Sequence, residues 1–233
     1  MRLPKLSEGI VILCAVSLVL AGIIAFDRRK SPDRAFDAIL RGDLPALVKI
    51  YPKSVPIYDK NGDTPLINAL IYRRFEMIRY LLSIGVDPNE RGNLGNIPLI
   101  KAAAFCPEAF TELIAAGATV DQTDDITGYT PLIVASGTEQ GLGHISVLLE
   151  AGADPNLANK KSGLTALMRA CKVGNAATAR LLIQYGASLE AVDKNGKSVE
   201  VYAKESKSPL VRKLFEEVKQ TNARKRNEPT DGQ

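Results

Sequence analysis

The sequence has few of the residues that usually carry catalysis or bind metals: one histidine, three cysteines and no tryptophan among 233 residues. Cys14, Cys106 and Cys171 form neither a CxxC pair nor a metal-ligand spacing, and we interpret them as small apolar side chains. A glycine-rich phosphate-binding motif is absent, and no serine or cysteine has a base partner marked by a motif. We therefore predict that the chain is not an enzyme and binds no cofactor and no metal.

Two features offer alternatives to that prediction. His144 could act as a lone general base, and the acidic loop that contains Asp121, Asp124 and Asp125 could bind calcium. The loop lacks the twelve-residue EF-hand pattern with its glycine and closing glutamate. A solvated loop tip is therefore the interpretation that we favour.

The net charge of +4 is concentrated at the ends of the chain. Residues 42–203 hold 15 basic and 17 acidic side chains, whereas residues 204–233 hold 8 basic and 5 acidic ones. The central part thus lacks the broad basic face of a nucleic-acid binder, and we predict no nucleic-acid partner. The cluster Arg224-Lys225-Arg226 is interpreted as part of a solvated tail rather than a nucleic-acid or lipid contact.

Two marks recur in register along the chain. The first is a Thr-Pro-Leu-type start, with intervals of 33, 33 and 35 residues, at Thr64, Ile97, Thr130 and Thr165. The second is a Leu-rich run that ends at Gly85, Gly117, Gly152 and Gly186. Thr caps a helix N-terminus, Pro suits the first helical position, and Gly suits a left-handed C-terminal cap. Each unit is therefore predicted to be helix, turn, helix and loop, and it needs neighbours to bury its apolar face.

A period near 33 residues with this start resembles the ankyrin repeat. The resemblance implies an all-α solenoid of about six helix-turn-helix units that binds protein partners through a concave face and loop tips. It also implies a structural role for His144, because the family often has a Gly-His pair between its helices. The family's usual histidine after Pro-Leu is replaced by apolar residues, from which we expect a looser loop network: Ile67, Ile100, Ile133 and Met168.

The predicted organisation has ten segments. They are a basic leader (1–9), a transmembrane-type helix (10–26), a linker (27–31), a degenerate first repeat (32–60), four ankyrin-like repeats (61–92, 93–126, 127–160 and 161–194), a capping repeat (195–220) and a disordered tail (221–233).

Residues 10–26 carry no charge. As a helix they would span roughly 25 Å, slightly less than the thickness of a bilayer core, and flanking side chains can extend that span. A cleaved signal peptide would need a small-x-small site, but Ile23-Ile24-Ala25 has a bulky first position. A buried core helix is disfavoured, because a helix that is apolar on every side has no place at the polar end of a stack. We predict an uncleaved, single-pass anchor.

The orientation of this anchor has two interpretations. Arg28, Arg29, Lys30 and Arg34 outnumber the basic residues of the leader, and the positive-inside rule then favours a cytoplasmic repeat domain. The short basic leader, in contrast, is typical of a bacterial signal anchor that sends the repeats across the membrane. We favour an extracytoplasmic repeat domain.

The predicted interaction surface follows from the resemblance. The position two residues after Pro-Leu and the one a helical turn later are expected to face the groove, and loop tips are expected to flank it. The partner-binding candidates are Asn68, Tyr72, Arg91, Lys101, Phe105, Gln122, Asp124, Asn159, Lys160, Arg169 and Lys172. The first hypothesis is a membrane-anchored, non-enzymatic protein that binds a protein partner near the membrane. The alternatives are a structural spacer within a membrane complex and a soluble exported protein after signal cleavage.

Overall fold

The computed structural model describes residues 31–51, 57–138 and 142–227, and these residues form six helix pairs. The first helices are α1 (Ser31–Arg41), α3 (Pro65–Ile71), α5 (Pro98–Phe105), α7 (Pro131–Ala135), α9 (Ala166–Val173) and α11 (Val199–Lys204). The second helices are α2 (Leu44–Ile50), α4 (Phe75–Ser83), α6 (Phe110–Ala115), α8 (Leu142–Glu150), α10 (Ala176–Gln184) and α12 (Pro209–Asn227). Short 3-10 helices lie at Asn93–Gly95 and Pro107–Ala109.

The helices form two layers. Each first helix contacts the first helix of the next pair, and each second helix contacts the next second helix. The described residues contain no strand, and their one isolated bridge joins Val192 and Ser198. The predicted all-α solenoid of about six units is therefore confirmed.

The predicted transmembrane-type helix (10–26) lies outside the described residues, together with the leader and most of the linker. Across residues 31–51, 57–138 and 142–227, no helix has both the length and the apolar character needed to cross a bilayer.

Hydroxyl caps start the first helices where the sequence predicts them. The hydroxyl of Thr64 accepts from the Ile67 N–H at 3.2 Å, and that of Thr130 accepts from the Ile133 N–H at 3.2 Å. The fifth and sixth repeats use Thr165 and Ser198 in the same way. Each cap satisfies a backbone donor that the helix leaves without a partner. Ile97 has no hydroxyl, so α5 begins without a side-chain cap.

A buried alanine occupies the same position of all six first helices: Ala38, Ala69, Ala102, Ala135, Ala170 and Ala203. Because the separation of packed helices depends on the side chains at their contact, this row permits close approach of neighbouring first helices. Its register includes the degenerate first repeat and the capping repeat, which lack the Thr-Pro-Leu mark.

Cys106 and Cys171 lie in the apolar core, each with no exposed surface. Burial raises the pKa of the Cys106 thiol to about 11 and that of the Cys171 thiol to about 12. Both thiols are therefore neutral at physiological pH. The prediction of buried, apolar cysteines is confirmed at these two positions.

The C-terminal helix is longer than predicted. α12 continues to Asn227, so the prediction of a disordered tail from residue 221 is wrong for residues 221–227. This stretch contains no proline or glycine that would interrupt a helix. Val211, Leu214 and Phe215 are buried as expected for a cap, but Leu210 is exposed.

The turn between the helices of the second repeat contains the one described non-glycine residue with positive φ, Arg73, at 54°. Gly174 occupies the corresponding position of the fifth repeat, with φ 87°. The left-handed conformation closes the C-terminus of the first helix in both repeats. At Arg73 it aims the side chain at Glu108 of the next repeat, 2.5 Å away.

Candidate functional site

The outward side of the first helices carries the predicted groove residues, and we call it the first-helix face. Tyr72 directly follows α3 and Phe105 is the last residue of α5, at corresponding positions of their repeats, and 45% and 44% of their surfaces are exposed. Neither ring makes a hydrogen bond or a ring contact with the described part of the chain. Lys172 is exposed and Lys101 is half-buried. The structure thus leaves two aromatic side chains uncovered in neighbouring repeats.

Asn68 does not belong to the exposed set. Its side chain is buried, and its amide donates to the Asp59 carboxylate and to the Thr64 carbonyl, each at 3.2 Å. These bonds tie the preceding loop to α3. The sequence pattern gives the correct helix face for Asn68, but the loop covers it.

Arg169 lies over an aromatic ring. Its guanidinium carbon is 5.4 Å from the centre of the Tyr129 ring, a cation–π contact between two repeats. Its Nε atom is buried and has no hydrogen-bond partner among the described residues. A Cβ atom at Gly137 would collide with the guanidinium. The absence of a side chain at Gly137 therefore makes room for Arg169.

The loop candidates Asp124 and Asn159 are buried rather than exposed at tips. Asn159 accepts from the backbone N–H groups of Lys161 and Ser162, and its amide donates to the Thr127 carbonyl of the preceding loop. Asp124 accepts from Thr127 and nearby backbone N–H groups in the same manner. The expectation that these two side chains lie exposed at loop tips is wrong, because each folds inward to hold its own turn.

The pKa of Asp124 is lowered by this arrangement. Burial alone would raise it, but the hydroxyl of Thr127 and the backbone N–H groups of Thr127, Ile126 and Tyr129 together stabilise the charged form. The carboxylate is therefore a structural acceptor inside the loop.

The remaining loop candidates differ in exposure. Lys160 is exposed, and Arg91 is exposed but pairs with Asp125 of the next loop at 2.9 Å. Gln122 is half-buried, and its Oε1 atom has no hydrogen-bond partner in the described structure. Of these three loop candidates, Lys160 alone is exposed and forms no ion pair with a described residue.

A ladder of side chains that joins successive repeats was missed from the sequence. The Asn89 amide donates to the Gly117 carbonyl and accepts from the Thr119 N–H, at 2.9 and 2.8 Å. Asn156 makes the same two bonds to the following repeat, with Gly186 and Ser188. The repeated Asp-Pro-Asn sequences that contain these two asparagines were the available signal.

The loops are tied together despite the lost histidines. Asn96 donates to Asp63 of the preceding loop at 2.9 Å, and the Asn93 N–H donates to the Gly62 carbonyl at 2.6 Å. The Lys194 N–H donates to the Ser162 carbonyl at 2.9 Å. The expectation of a looser network is therefore not supported, because other residues supply hydrogen bonds between the loops.

The described residues bring together no catalytic constellation. His144 packs edge-on against Phe110, with ring centres 6.4 Å apart, and its Nδ1 atom is buried without a hydrogen-bond partner. No group of three or more metal-ligating side chains occurs among residues 31–51, 57–138 and 142–227. What the arrangement offers chemically is an exposed surface of aromatic and basic side chains.

A family model described as "Ankyrin repeats (3 copies)" matches residues 36–124 and 139–225. Among curated proteins, a Danio rerio protein named as palmitoyltransferase ZDHHC13 is 29% identical over 179 residues. The match covers 74% of this chain but 27% of that protein.

Two solved structures are similar over most of the chain. One is titled as the Bd0816 predatory endopeptidase from Bdellovibrio bacteriovorus in complex with immunity protein Bd3460, with a TM-score of 0.70 and 27% identity. The similarity covers 79% of this chain and 97% of the matched chain. The other is the ankyrin repeat domain of Bcl-3, with a TM-score of 0.68 and 27% identity, covering 78% of this chain and 85% of that one.

Proposed function

Because the chain belongs to the ankyrin repeat family, a group of repeats that generally mediate protein–protein interactions, we propose that it is a non-enzymatic protein that binds a protein partner. The first-helix face and the exposed loop residues are the binding surface. Tyr72, Phe105, Lys101, Arg169 and Lys172 contact the partner on the helices, and Lys160 contacts it from a loop.

The observation that carries this proposal is the pair Tyr72 and Phe105. Both side chains are more than two-fifths exposed in neighbouring repeats, and aromatic residues are enriched among those that dominate interface energetics. Both rings extend from short helices whose other faces are packed in the core. Such rigid anchors lose little conformational entropy when a partner covers them.

The similar structures support a partner that is itself a folded protein. The chain matched at a TM-score of 0.70 comes from a complex titled as an endopeptidase with an immunity protein. The structural similarity covers 97% of the matched chain. In one form of the proposal, this protein likewise holds or neutralises an enzyme.

Residues 10–26 add a membrane location to the proposal. We expect an uncleaved anchor that places the repeats outside the cytoplasm. Alkaline carbonate extraction of native membranes, followed by protease treatment of intact cells, tests both parts. Release of the chain by carbonate would instead indicate a soluble exported protein, and protection in intact cells but not in permeabilised ones would indicate the cytoplasmic orientation.

The binding proposal is tested with the full chain by crosslinking and affinity capture from native membranes, followed by mass spectrometry. We expect one stoichiometric partner, and loss of its capture with Tyr72→Ala/Phe105→Ala. Tyr185→Ala is the matched control, because Tyr185 is similarly exposed (42%) but follows a second helix. Circular dichroism must show that both variants remain folded.

Undiminished capture by the folded double variant would overturn the assignment of this face. If the chain then still co-purified with a membrane assembly, the alternative function as a structural spacer would be favoured. Measurable turnover that is lost in His144→Ala would contradict the non-enzymatic proposal.

A further inference from the structure

Charge is unevenly distributed along the repeats. Residues 102–159 contain eight acidic side chains and no lysine or arginine. Residues 160–197 contain seven lysines or arginines and two acidic side chains, Glu190 and Asp193. The boundary lies inside the repeat stack, where the fold places the two stretches in neighbouring repeats.

Three of the eight acidic side chains in this stretch form ion pairs with described residues. Arginines of one repeat reach acidic side chains of the next, in the pairs Arg73–Glu108 at 2.5 Å, Arg79–Glu112 at 3.2 Å and Arg91–Asp125 at 2.9 Å. Asp124 is buried in its own loop. Part of the negative charge of these repeats is thus matched by positive charge of the preceding repeat, whereas Glu150 and Asp154 are exposed without an ion pair among the described residues.

The basic stretch is compensated only in part. Arg180 pairs with Glu217 at 3.2 Å and Lys197 pairs with Glu205, but three loop lysines have no acidic partner among the described residues. Lys160, Lys161 and Lys194 are exposed, and none of them forms an ion pair with any described residue. Asp193, beside them in sequence, is buried and accepts from the backbone N–H groups of Asn195 and Lys197. Its charge therefore faces inward, and the ammonium groups remain uncompensated.

The two loops are fixed against one another. The Lys194 N–H donates to the Ser162 carbonyl at 2.9 Å, and the Lys194 ammonium donates to the Lys160 carbonyl. These bonds place lysines of neighbouring repeats side by side. We call Lys160, Lys161 and Lys194 the basic loop surface. Its preorganised backbone lowers the entropic cost of binding.

We propose that the basic loop surface binds an acidic segment of the partner protein, a proposal that rests on the proposed function. The partner's carboxylates pair with these lysines as Asp125 pairs with Arg91 between two earlier loops. A protein segment fits better than a nucleic acid, because a phosphodiester chain continuing past the surface would meet the acidic stretch 102–159. Arg169, on the adjoining first helix, extends the positive surface toward the first-helix face.

The test uses the full chain and a fluorescein-labelled glutamate-rich peptide, with binding measured by fluorescence anisotropy at low and high salt. The variant is Lys160→Gln/Lys161→Gln/Lys194→Gln. The control Lys49→Gln/Lys60→Gln/Lys207→Gln removes three exposed lysines without ion pairs elsewhere, so the net charge changes equally. We expect binding to weaken on the order of tenfold in the variant and by less than about twofold in the control. Binding should also weaken with salt.

Equal weakening in the two variants would overturn the proposal, since net charge alone would then explain binding. Tighter binding of single-stranded DNA of matched charge, or of phosphatidylglycerol vesicles, would also overturn it. Self-association of the wild-type chain that is lost in the triple variant would also overturn the proposal, because the surface would then bind a second copy.

Capture of the native partner separates this inference from the proposed function. Loss of capture with Tyr72→Ala/Phe105→Ala, but full capture with the triple lysine variant, would leave the binding function intact and refute the acidic segment. Undiminished capture with both variants would remove both proposals. Loss of capture with each of the two variants would support both the binding function and the acidic segment.

Discussion

At the scale of single residues, the side-chain ladder between repeats has an asparagine at two positions and an aspartate at the equivalent position between them. Asn89 and Asn156 each donate to a glycine carbonyl and accept from a backbone N–H. Asp121 occupies the position between them and accepts only from the Asp154 N–H, at 3.2 Å. A carboxylate has no donor for the second bond. Burial, with a smaller contribution from the Asp154 charge, raises the pKa of Asp121.

Asp121→Asn is therefore expected to stabilise the protein by about 0.5–1 kcal/mol at pH 7. The raised pKa means that Asp121 favours folding only while protonated, so its penalty grows as the pH rises through the folded pKa. The advantage of the variant should shrink near pH 3. Urea unfolding at pH 7 and at pH 3 measures the difference in the free energy of unfolding between the variant and the wild-type protein.

The reverse change, Asn156→Asp, is the control and should destabilise the protein at pH 7. Equal or lower stability of Asp121→Asn at pH 7 would show that the ladder contributes nothing at this position.

At the scale of helices, the buried alanine row sets how closely the first helices pack. Leu66 and Leu70, on the same helix as Ala69, are fully buried in the same apolar core. A core packed at this density has no room for added methyl groups. The row is present in all six repeats, including the two whose other marks are weak.

Ala102→Leu should lower the free energy of unfolding by about 1–3 kcal/mol, because the larger side chain separates α5 from its neighbours. Thermal and urea unfolding measure the loss. Ala104→Leu is the control, since Ala104 lies half-buried on the same helix and should cost much less. Similar losses in the two variants would contradict close packing along the row.

At the scale of the whole molecule, stability depends on the covering of the last repeat. Each repeat contacts only its neighbours, so the terminal units need a polar outer side. α12 contacts α10 and α11 and buries Val211, Leu214 and Phe215. Its other side carries charged residues such as Arg212, which are exposed.

Truncation before Pro209 should destabilise the protein by about 5 kcal/mol, from the loss of three buried apolar side chains and the exposure of the surfaces beneath them. Truncation before Thr221 keeps those three buried side chains and should cost less than about 1 kcal/mol. Urea unfolding and size-exclusion chromatography compare the two. An intact monomer of unchanged stability after the first truncation would show that α12 is not a cap.

Much of the fold follows from local sequence. The Thr-Pro starts and the glycine ends determine where helices begin and stop, because caps and left-handed turns act within one or two helical turns. The extension of α12 beyond its predicted end at residue 220 was missed because residues 221–227 have no apolar period from which a helix could be predicted.

The candidate site was only partly predictable. Tyr72, Phe105 and Lys160 lie exposed where the repeat pattern places them.

What the sequence alone determined is the repeat: its period, its helices and the side of each helix that faces outward. What only the tertiary structure decided is which polar side chains remain available to a partner. Asn68, Asp124 and Asn159 fold into their loops, Arg91 is paired by the next repeat, and Lys160 and Lys194 are brought together without an acid. Burial and ion pairing depend on the neighbouring repeat, about 33 residues away along the chain, and no local pattern records that contact.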